Sequence, residues 1–314
     1  MKFLFLIKEV LSVIRNLHSF INDVVVYNRK VLMIDLLNRQ TIRKGISSNL
    51  FKTNTGGHFS VTVSLTSYGK RAHLCYRTIE SIMQNTVLPN HIVLWLADDE
   101  FSEETIPENL VRLKERGLEI GFYKDIKSFK KLVPSLIKYP DDVIITVDDD
   151  VIYHEETIEI LLKHYAKDPH SIWAFTGSKI LFSPDGTLLP YIQWYNANIK
   201  AMETDSCNFP TGVGGILYPP HSLDSRVIDD SLFMTLCPTA DDVWFKACSL
   251  MRHTNSKFVF TYEKPMDMHT SLQDVQDVGL SKQNVEGAMN DKYLKKVLDY
   301  FSLDKDTIEK NKGK

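Results

Sequence analysis

From residue 58 onward, apolar runs rich in β-branched residues alternate with segments of helical periodicity, and this alternation restricts the fold more than any other feature of the chain. The runs Phe59–Leu65, His91–Leu96, Leu118–Tyr123 and Val143–Val147 have strand length and composition. Between and after them, Ala72–Asn85, Pro107–Arg116, Lys127–Lys138 and Glu155–Tyr165 carry helical patterns. Strand and helix in strict succession predict an α/β fold, a mostly parallel central sheet flanked by helices. In open sheets of this kind ligands collect beyond the carboxyl ends of the strands, so the residues that close each strand are the ones to inspect for chemistry.

The remaining global features narrow the class further. A length of 314 residues leaves room for one large or two small domains at roughly 150 residues each. With 43% hydrophobic and 25% charged residues, wholesale disorder and fibrous architectures are excluded. Cys75, Cys207, Cys237 and Cys248 form no C-x-x-C pair, which argues against a zinc knuckle or redox dithiol and predicts reduced thiols in a cytoplasmic protein. No apolar stretch is long enough to span a bilayer, and Phe3–Ile7 is too short for a signal-peptide core.

Charge divides the chain unevenly. Residues 1–53 hold nine Lys or Arg against three Asp or Glu, while the remainder is net acidic. The acidic bulk repels a phosphate backbone, so nucleic acid is not an expected partner. Within the basic segment, Phe3, Leu6, Ile7, Val10, Leu11, Ile14, Leu17 and Ile21 fall at helical spacing and predict an amphipathic helix. Its apolar stripe either packs on the body of the protein or a second subunit, or lies in a lipid headgroup layer, giving residues 1–50 a membrane-surface contact at the inner face of the cell membrane. The polar joint Lys52–Gly57 closes this extension. The expected organisation is a basic amphipathic extension over 1–57, a main domain over 58–303, and a flexible lysine-rich tail over 304–314.

The densest chemistry follows the fourth predicted strand. Val143–Val147 runs into Asp148-Asp149-Asp150, which delivers three consecutive carboxylates to a strand end. Two like charges near 4 Å repel by about 4 kcal/mol at an effective dielectric of 20, so something must compensate them. A solvated acidic turn capping the next helix is one answer. A divalent cation is the other: carboxylates here offer hard oxygen ligands to Mn²⁺ or Mg²⁺ and leave positions for water and a diphosphate. At the end of the first strand, Ser64–Arg71 supplies hydroxyls, an aromatic ring and an arginine suited to stacking and phosphate contact.

These two segments, together with the later Ala240-Asp241-Asp242-Val243-Trp244, resemble bacterial GT-A glycosyltransferases over roughly residues 58–300. The resemblance implies a Rossmann-like GT-A fold and a metal-dependent transfer of sugar from a nucleotide-sugar donor, a UDP-sugar foremost, to a glycan or lipid-linked acceptor. Surface polysaccharide or lipopolysaccharide assembly is the implied setting. It also implies site roles: Asp148 on ribose or base, Asp150 on the metal, Asp149 assisting either, and Thr66, Tyr68 and Arg71 as nucleotide contacts with Asp125 near the base. Lys131 resembles a family lysine that faces the donor, with Lys130 an equal claimant. Asp148 and His269 join Asp150 as implied metal ligands, with Asp267 a substitute for the histidine.

The second half of the chain carries the remaining candidates. Pro210–Pro220 holds three glycines beside prolines, either a tight turn before a strand or a loop where backbone approaches a ligand. Asp241 and Asp242 stand at the expected N-terminus of an apolar helix. Sugar transfer needs a base for the acceptor hydroxyl, and the resemblance assigns it to this pair: Asp242 as base and Asp241 positioning the acceptor, or the reverse. An acid attacking from the face opposite the leaving group inverts the anomeric centre; a retaining transferase on the same scaffold is the variant. A haloacid-dehalogenase-type phosphohydrolase also uses a strand-end Asp-x-Asp, but closes its first strand with it. A non-enzymatic nucleotide- or metal-binding module leaves Asp241 and Asp242 without a task.

Overall fold

All four apolar runs expected as strands form them: β1 (Val61–Thr66), β2 (His91–Ala97), β3 (Leu118–Tyr123) and β4 (Val143–Thr146). They are followed by β5 (Val151–Tyr153), β6 (Ile172–Ala174), β7 (Gly177–Lys179), β8 (Asn208–Pro210), β9 (Ile216–Tyr218), β10 (Ser256–Phe258) and β11 (His269–Ser271). In this computed structural model the described residues are 51–52, 58–196, 202–259, 269–272 and 289–310, all within the compact unit Ile42–Lys314. The amphipathic-helix and membrane-contact expectations for residues 1–50 fall outside them. Among the described residues no helix is long and apolar enough to cross a membrane, and all four cysteines are free and buried.

The central sheet has seven strands in the order β10-β6-β9-β4-β1-β2-β3. β1, β2, β3 and β4 are mutually parallel. The chain steps outward from β1 to β3, then returns to place β4 on the other side of β1. A topological switch point therefore lies between β1 and β4, where the two following loops diverge and leave a crevice. Beyond β4 the sheet turns mixed, because β9 pairs antiparallel with both β4 and β6.

Alternation along the strands supplies two cores. Val61, Val63, Leu65, Val143 and Ile145 face one side, against α1 (Tyr76–Met83), α2 (Glu108–Lys114) and α4 (Thr157–Lys167). Ile144, Ile216 and Tyr218 face the other, against α3 (Val133–Lys138), α5 (Asp230–Leu236), α6 (Asp241–Met251) and α7 (Met289–Phe301). The alternate residues of β1 are polar yet buried, and each is satisfied. Thr62 donates to Asp142 at 2.6 Å, and Ser64 Oγ lies 2.7 Å from the Ser135 hydroxyl that also accepts from the Trp95 indole. Burial without partners would cost about 1–3 kcal/mol per group.

Two expected helices are broken, and both breaks matter to the site. Ala72–Asn85 becomes a 3-10 turn over Gly69–His73 followed by α1. Lys127–Lys138 becomes a 3-10 turn over Lys127–Lys131 followed by α3, whose start is fixed by Pro134, a residue without the N–H that a continuous helix would need there. The tail also differs from expectation. Lys305–Lys310 forms α8, with Asp304 accepting from the backbone and hydroxyl of Thr307 and Ile308 fully buried against the α6–α7 core. An isoleucine removed from water contributes about 1.5–3 kcal/mol, which opposes fraying of so short a helix.

Candidate active site at the switch point

The loops after β1 and β4 meet through one carboxylate. β4 hands the chain to Val147, whose N–H still donates to the Ser64 carbonyl of β1, and Asp148-Asp149-Asp150 then turns over the strand ends. The central acid points into the protein. Asp149 is 6% exposed, accepts from Ser67 Oγ at 2.5 Å and from Arg71 Nε at 3.1 Å, and forms an ion pair with the second arm of that guanidinium. Its carbonyl accepts from the Thr78 hydroxyl at 3.0 Å. A buried, bidentate arginine–carboxylate pair of this kind has geometric specificity as well as energy.

Neutralising the middle acid leaves the flanking two at the crevice. Asp150 lies 3.2 Å from Arg71 Nη2. Burial, and after it the Asp149 and Asp148 carboxylates, push Asp150 up to about 6 against the pull of Arg71. Asp148 is 29% exposed and pairs through Oδ1 with Lys131 Nζ at 3.1 Å. Its backbone N–H donates to the hydroxyl of Tyr153, which in turn donates to the Val213 carbonyl. Tyr153 thus ties the acid turn to the loop between β8 and β9.

Lys131 reaches across to the second acidic pair. Its Nζ lies 2.8 Å from Asp241 Oδ2 at the start of α6. Burial opposes its charge, but Asp148, Asp241 and Asp242 together raise it well above the usual lysine range. The 3-10 turn explains why neighbouring lysines part company, since successive residues point about 120° apart. Lys130 turns the other way to pair with Asp125. Although burial pushes Asp125 up, Lys127 and Lys130 hold it well below the usual carboxylate range. On the same turn Ser128 donates to Asp241 Oδ1 at 2.7 Å.

Asp242 is the least comfortable group. Its Oδ1 is buried without a hydrogen-bond partner. Burial first, then the adjacent Asp241, push its carboxyl up to about 7, with Lys131 and the Gly212 N–H pulling the other way. A Cβ at Gly212 would sit 2.6 Å from Lys131 Nζ and 3.1 Å from Asp148 Oδ1, so a side chain fits there only by displacing those two groups. Gly215 adopts φ +93°, a left-handed conformation that favours glycine. The glycine-rich loop therefore lets backbone close over the acids.

Of the residues singled out from sequence, the structure gathers Asp148, Asp149, Asp150, Arg71, Lys131, Asp241 and Asp242 around one crevice. Arg71 is committed to Asp149 and Asp150, with its guanidinium also 5.4 Å from the Tyr68 ring centroid. Tyr68 is 39% exposed at the β1 end, whereas the Thr66 hydroxyl is taken up by the Trp95 carbonyl of β2. Asp125 anchors the lysine turn from the end of β3. The His269 and Asp267 side chains lie outside the described residues. The backbone of His269–Ser271 pairs antiparallel with β5, and the Leu272 N–H donates to the Asp150 carbonyl at 2.7 Å. Trp244 is core, fully buried with its indole on the Val227 carbonyl. Sequence reasoning missed Ser128 and Tyr153 and took Ser67 only as one of the Ser64–Arg71 hydroxyls offered to a ligand, whereas its hydroxyl is committed to Asp149.

The arrangement has five carboxylates, Asp148–Asp150 and Asp241–Asp242, against two cations, Arg71 and Lys131. Among the described residues, no three His, Cys, Asp or Glu side chains converge as a complete metal cage. Asp148 and Asp150 each engage a protein cation through one oxygen, which leaves the other for a hard cation whose remaining ligands come from solvent or substrate. Chemically, the crevice joins an anion-rich strand end to a protonatable carboxylate with a shifted titration.

No protein-family model matches the chain, and no curated protein matches it in sequence. Solved structures similar to it include a CMP:2-keto-3-deoxy-manno-octonic acid synthetase complexed with CTP (TM-score 0.37, 12% identity, 64% of this chain and 88% of that one). They also include the mannosyltransferase PcManGT from Pyrobaculum calidifontis in complex with GDP-Man and Mn²⁺ (TM-score 0.42, 14% identity, 75% of this chain) and TarS from S. aureus (TM-score 0.42, 13% identity, 64% of this chain). The chain spans 61% of the mannosyltransferase and 57% of TarS.

Proposed function

We propose that this chain is a GT-A-type glycosyltransferase that uses a divalent cation, Mn²⁺ or Mg²⁺, to transfer sugar from a nucleotide-sugar donor to a hydroxyl acceptor. The observation that carries the reading is the pairing of two acidic groups across one lysine at the switch point: Asp148 after β4 and Asp241 at the start of α6, both on Lys131. A metal-dependent, inverting transfer uses one acidic group to hold the cation at the donor end and another as base at the acceptor end.

Asp148 and Asp150 are the residues that would hold the cation, with His269 a further ligand. When bound, the cation supplies charge neutralisation for a leaving diphosphate. The chain's own residues do the rest. The β1 loop, with Tyr68 exposed beside Arg71, offers the nucleotide a ring face, and Asp148 and Asp125 flank it. Arg71 holds Asp149 down so that the outer acids face the crevice. Lys131, charged and buried, meets the donor's diphosphate side while keeping Asp241 in place. Asp242 takes the proton from the acceptor hydroxyl as that oxygen bonds to the anomeric carbon and the sugar–phosphate bond breaks. Attack from the side opposite the diphosphate inverts the anomeric centre.

A UDP-sugar donor and a glycan or lipid-linked acceptor in surface polysaccharide or lipopolysaccharide assembly complete the reading. The net positive charge of residues 1–53 suits an anionic lipid surface. The phosphohydrolase alternative requires its acid motif to close the first strand, whereas this one follows the fourth. Thermal-shift and calorimetric titration of chelator-stripped protein with UDP-, GDP-, CMP- and dTDP-sugars tests the proposal. The expected result is a nucleotide sugar that binds tightly only with Mn²⁺ or Mg²⁺, a dependence abolished in Asp150→Ala. Equal affinity with and without cation, in wild type, would sink it.

A further inference from the structure

Tyr153 stands where the acid turn and the glycine-rich loop meet, on a backbone that is itself held from two sides. β5 pairs antiparallel with β11, with Tyr153 opposite His269. The Tyr153 N–H donates to Ser81 Oγ of α1 at 3.1 Å. Its ring is buried, in the same core as Val151 and Ile158. A phenol has one proton to give and lone pairs to accept with. Here the proton goes to the Val213 carbonyl at 3.1 Å, and the Asp148 N–H donates to the oxygen at 2.9 Å.

Both partners are backbone groups, and backbone groups withdrawn from water need a partner. Asp148 opens the acid turn after β4, and Val213 lies in the loop between β8 and β9. That loop is fastened by a second hydroxyl as well: Thr176 donates to the Thr211 carbonyl at 3.0 Å and accepts from the Gly214 N–H at 3.2 Å. The loop also closes on itself, the Gly215 N–H donating to the Gly212 carbonyl at 2.9 Å. Val213 is the chain neighbour of Gly212, whose backbone lies tight against Lys131 Nζ and Asp148 Oδ1. Where Tyr153 holds Val213 therefore governs how closely Gly212 approaches those two groups.

We propose that Tyr153 is a positioning residue whose hydroxyl locks the acid turn and the glycine-rich loop into one unit, fixing Asp148 and Gly212 relative to each other beside Lys131. Its consequence for turnover rests on the transferase reading, in which Asp148 serves the donor end. Tyr153 acts through Asp148 and Val213 alone, by their backbone groups, and its ring stays in the core. Phenylalanine would fill the same space and satisfy neither partner.

Tyr153→Phe tests this by amide hydrogen exchange of the ligand-free protein, read by mass spectrometry over residues 148–150 and 211–215. Exchange should quicken about tenfold in both segments, as the loss of one hydrogen bond implies. The Gly214 and Gly215 amides should be included, although they bond to Thr176 and Gly212 and not to Tyr153. Exchange in β2 should stay as in wild type, which separates coupling from general destabilisation. Ser81→Ala is the matched control: it takes the partner from the Tyr153 N–H and leaves the phenol, so the loop should exchange as in wild type. In the transfer assay kcat should fall about 10–10²-fold in Tyr153→Phe, the cost of a misplacement of about 1 Å or less, and stay near wild type in Ser81→Ala. Should the phenylalanine variant not fold, Thr176→Val loosens the loop through a hydroxyl whose hydrogen bonds go to Thr211 and Gly214, and the Asp148 amide should then exchange about tenfold faster. Unchanged exchange in the glycine-rich loop of Tyr153→Phe, or in the acid turn of Thr176→Val, overturns the proposal. So does unchanged turnover in a variant whose loop has loosened. Faster exchange in both segments, with no sugar transfer by the wild type, leaves the coupling standing and overturns the transferase reading alone.

Discussion

Asp242→Asn should make the protein more stable at high pH and catalytically impaired, and the size of the first effect follows from the site. Burial and Asp241 raise the Asp242 carboxyl from 3.8 to about 7 in the folded chain. Between those values the folded protein keeps a proton that the unfolded chain has released, so this group's contribution is fully present below about pH 4 and lost as pH rises through about 7. A shift of about three units corresponds to at most about 4 kcal/mol. Asparagine carries no charge at any pH and escapes the penalty. For a unit of this size each kcal/mol moves the melting temperature by about 2–4 °C. The asparagine variant should therefore gain about 8 °C on wild type between pH 4 and pH 8. Cation-free thermal melts of the two proteins across this range are the assay, and taking their difference cancels other groups such as Asp150 and Glu80. The same substitution should lower transfer by about 10²–10⁴-fold with donor binding intact, and wild-type transfer should rise with pH through about 7. A melting-temperature difference that stays flat from pH 4 to 8 would show that the carboxylate is not held in the environment described, and the argument for it as a tuned base would go with it.

Two further substitutions probe the supports of the site. Arg71→Met leaves Asp149 buried without its main partner and should cost about 3–5 kcal/mol by urea denaturation; adding Asp149→Asn should recover a large part of that loss, and simple additivity of the two would contradict the pairing. Gly212→Ala places a methyl carbon 2.6 Å from Lys131 Nζ, inside contact distance. A flexible side-chain end can move aside, so the melting temperature should change little, while displacement of Lys131 from Asp148 should reduce transfer by about 10²-fold in a steady-state assay.

The sheet was legible because its parallel strands are buried on both faces and so appear as continuous β-branched runs. β9 was not: three residues between a glycine-rich loop and two prolines carry no period to detect, and only pairing with β4 and β6 makes them a strand. The acid turn was legible for a physical reason, since three carboxylates after Ile144-Ile145-Thr146-Val147 conflict with everything preceding them. What each acid does was not. Asp149 differs from its neighbours only through Arg71 and Ser67, which approach from another loop. Sequence left Lys130 and Lys131 interchangeable, and the 3-10 turn separates them, one toward Asp125 and one toward Asp148 and Asp241. The tail looked frayed because lysines dominate it; a single isoleucine, Ile308, outweighs them once a core is within reach.

The division of labour among the three consecutive acids explains how the fold tolerates them. If all three faced the crevice, mutual repulsion would add to that of Asp241 and Asp242, and one lysine would be the only compensation. Committing Asp149 to Arg71 converts the middle charge into a strut that pins the turn to the end of β1. It also leaves Arg71 in reach of Asp150, which softens the outer charge without cancelling it. Lys131 does the same for Asp148 and Asp241 together. Each cation is thus shared between two acids, Arg71 between Asp149 and Asp150 and Lys131 between Asp148 and Asp241, and Asp242 is left with a buried oxygen that no partner satisfies. A site balanced this way is stable enough to fold, yet keeps more carboxylates than cations, a surplus met in part by the raised proton affinity of Asp150 and Asp242 and available to the proposed donor chemistry.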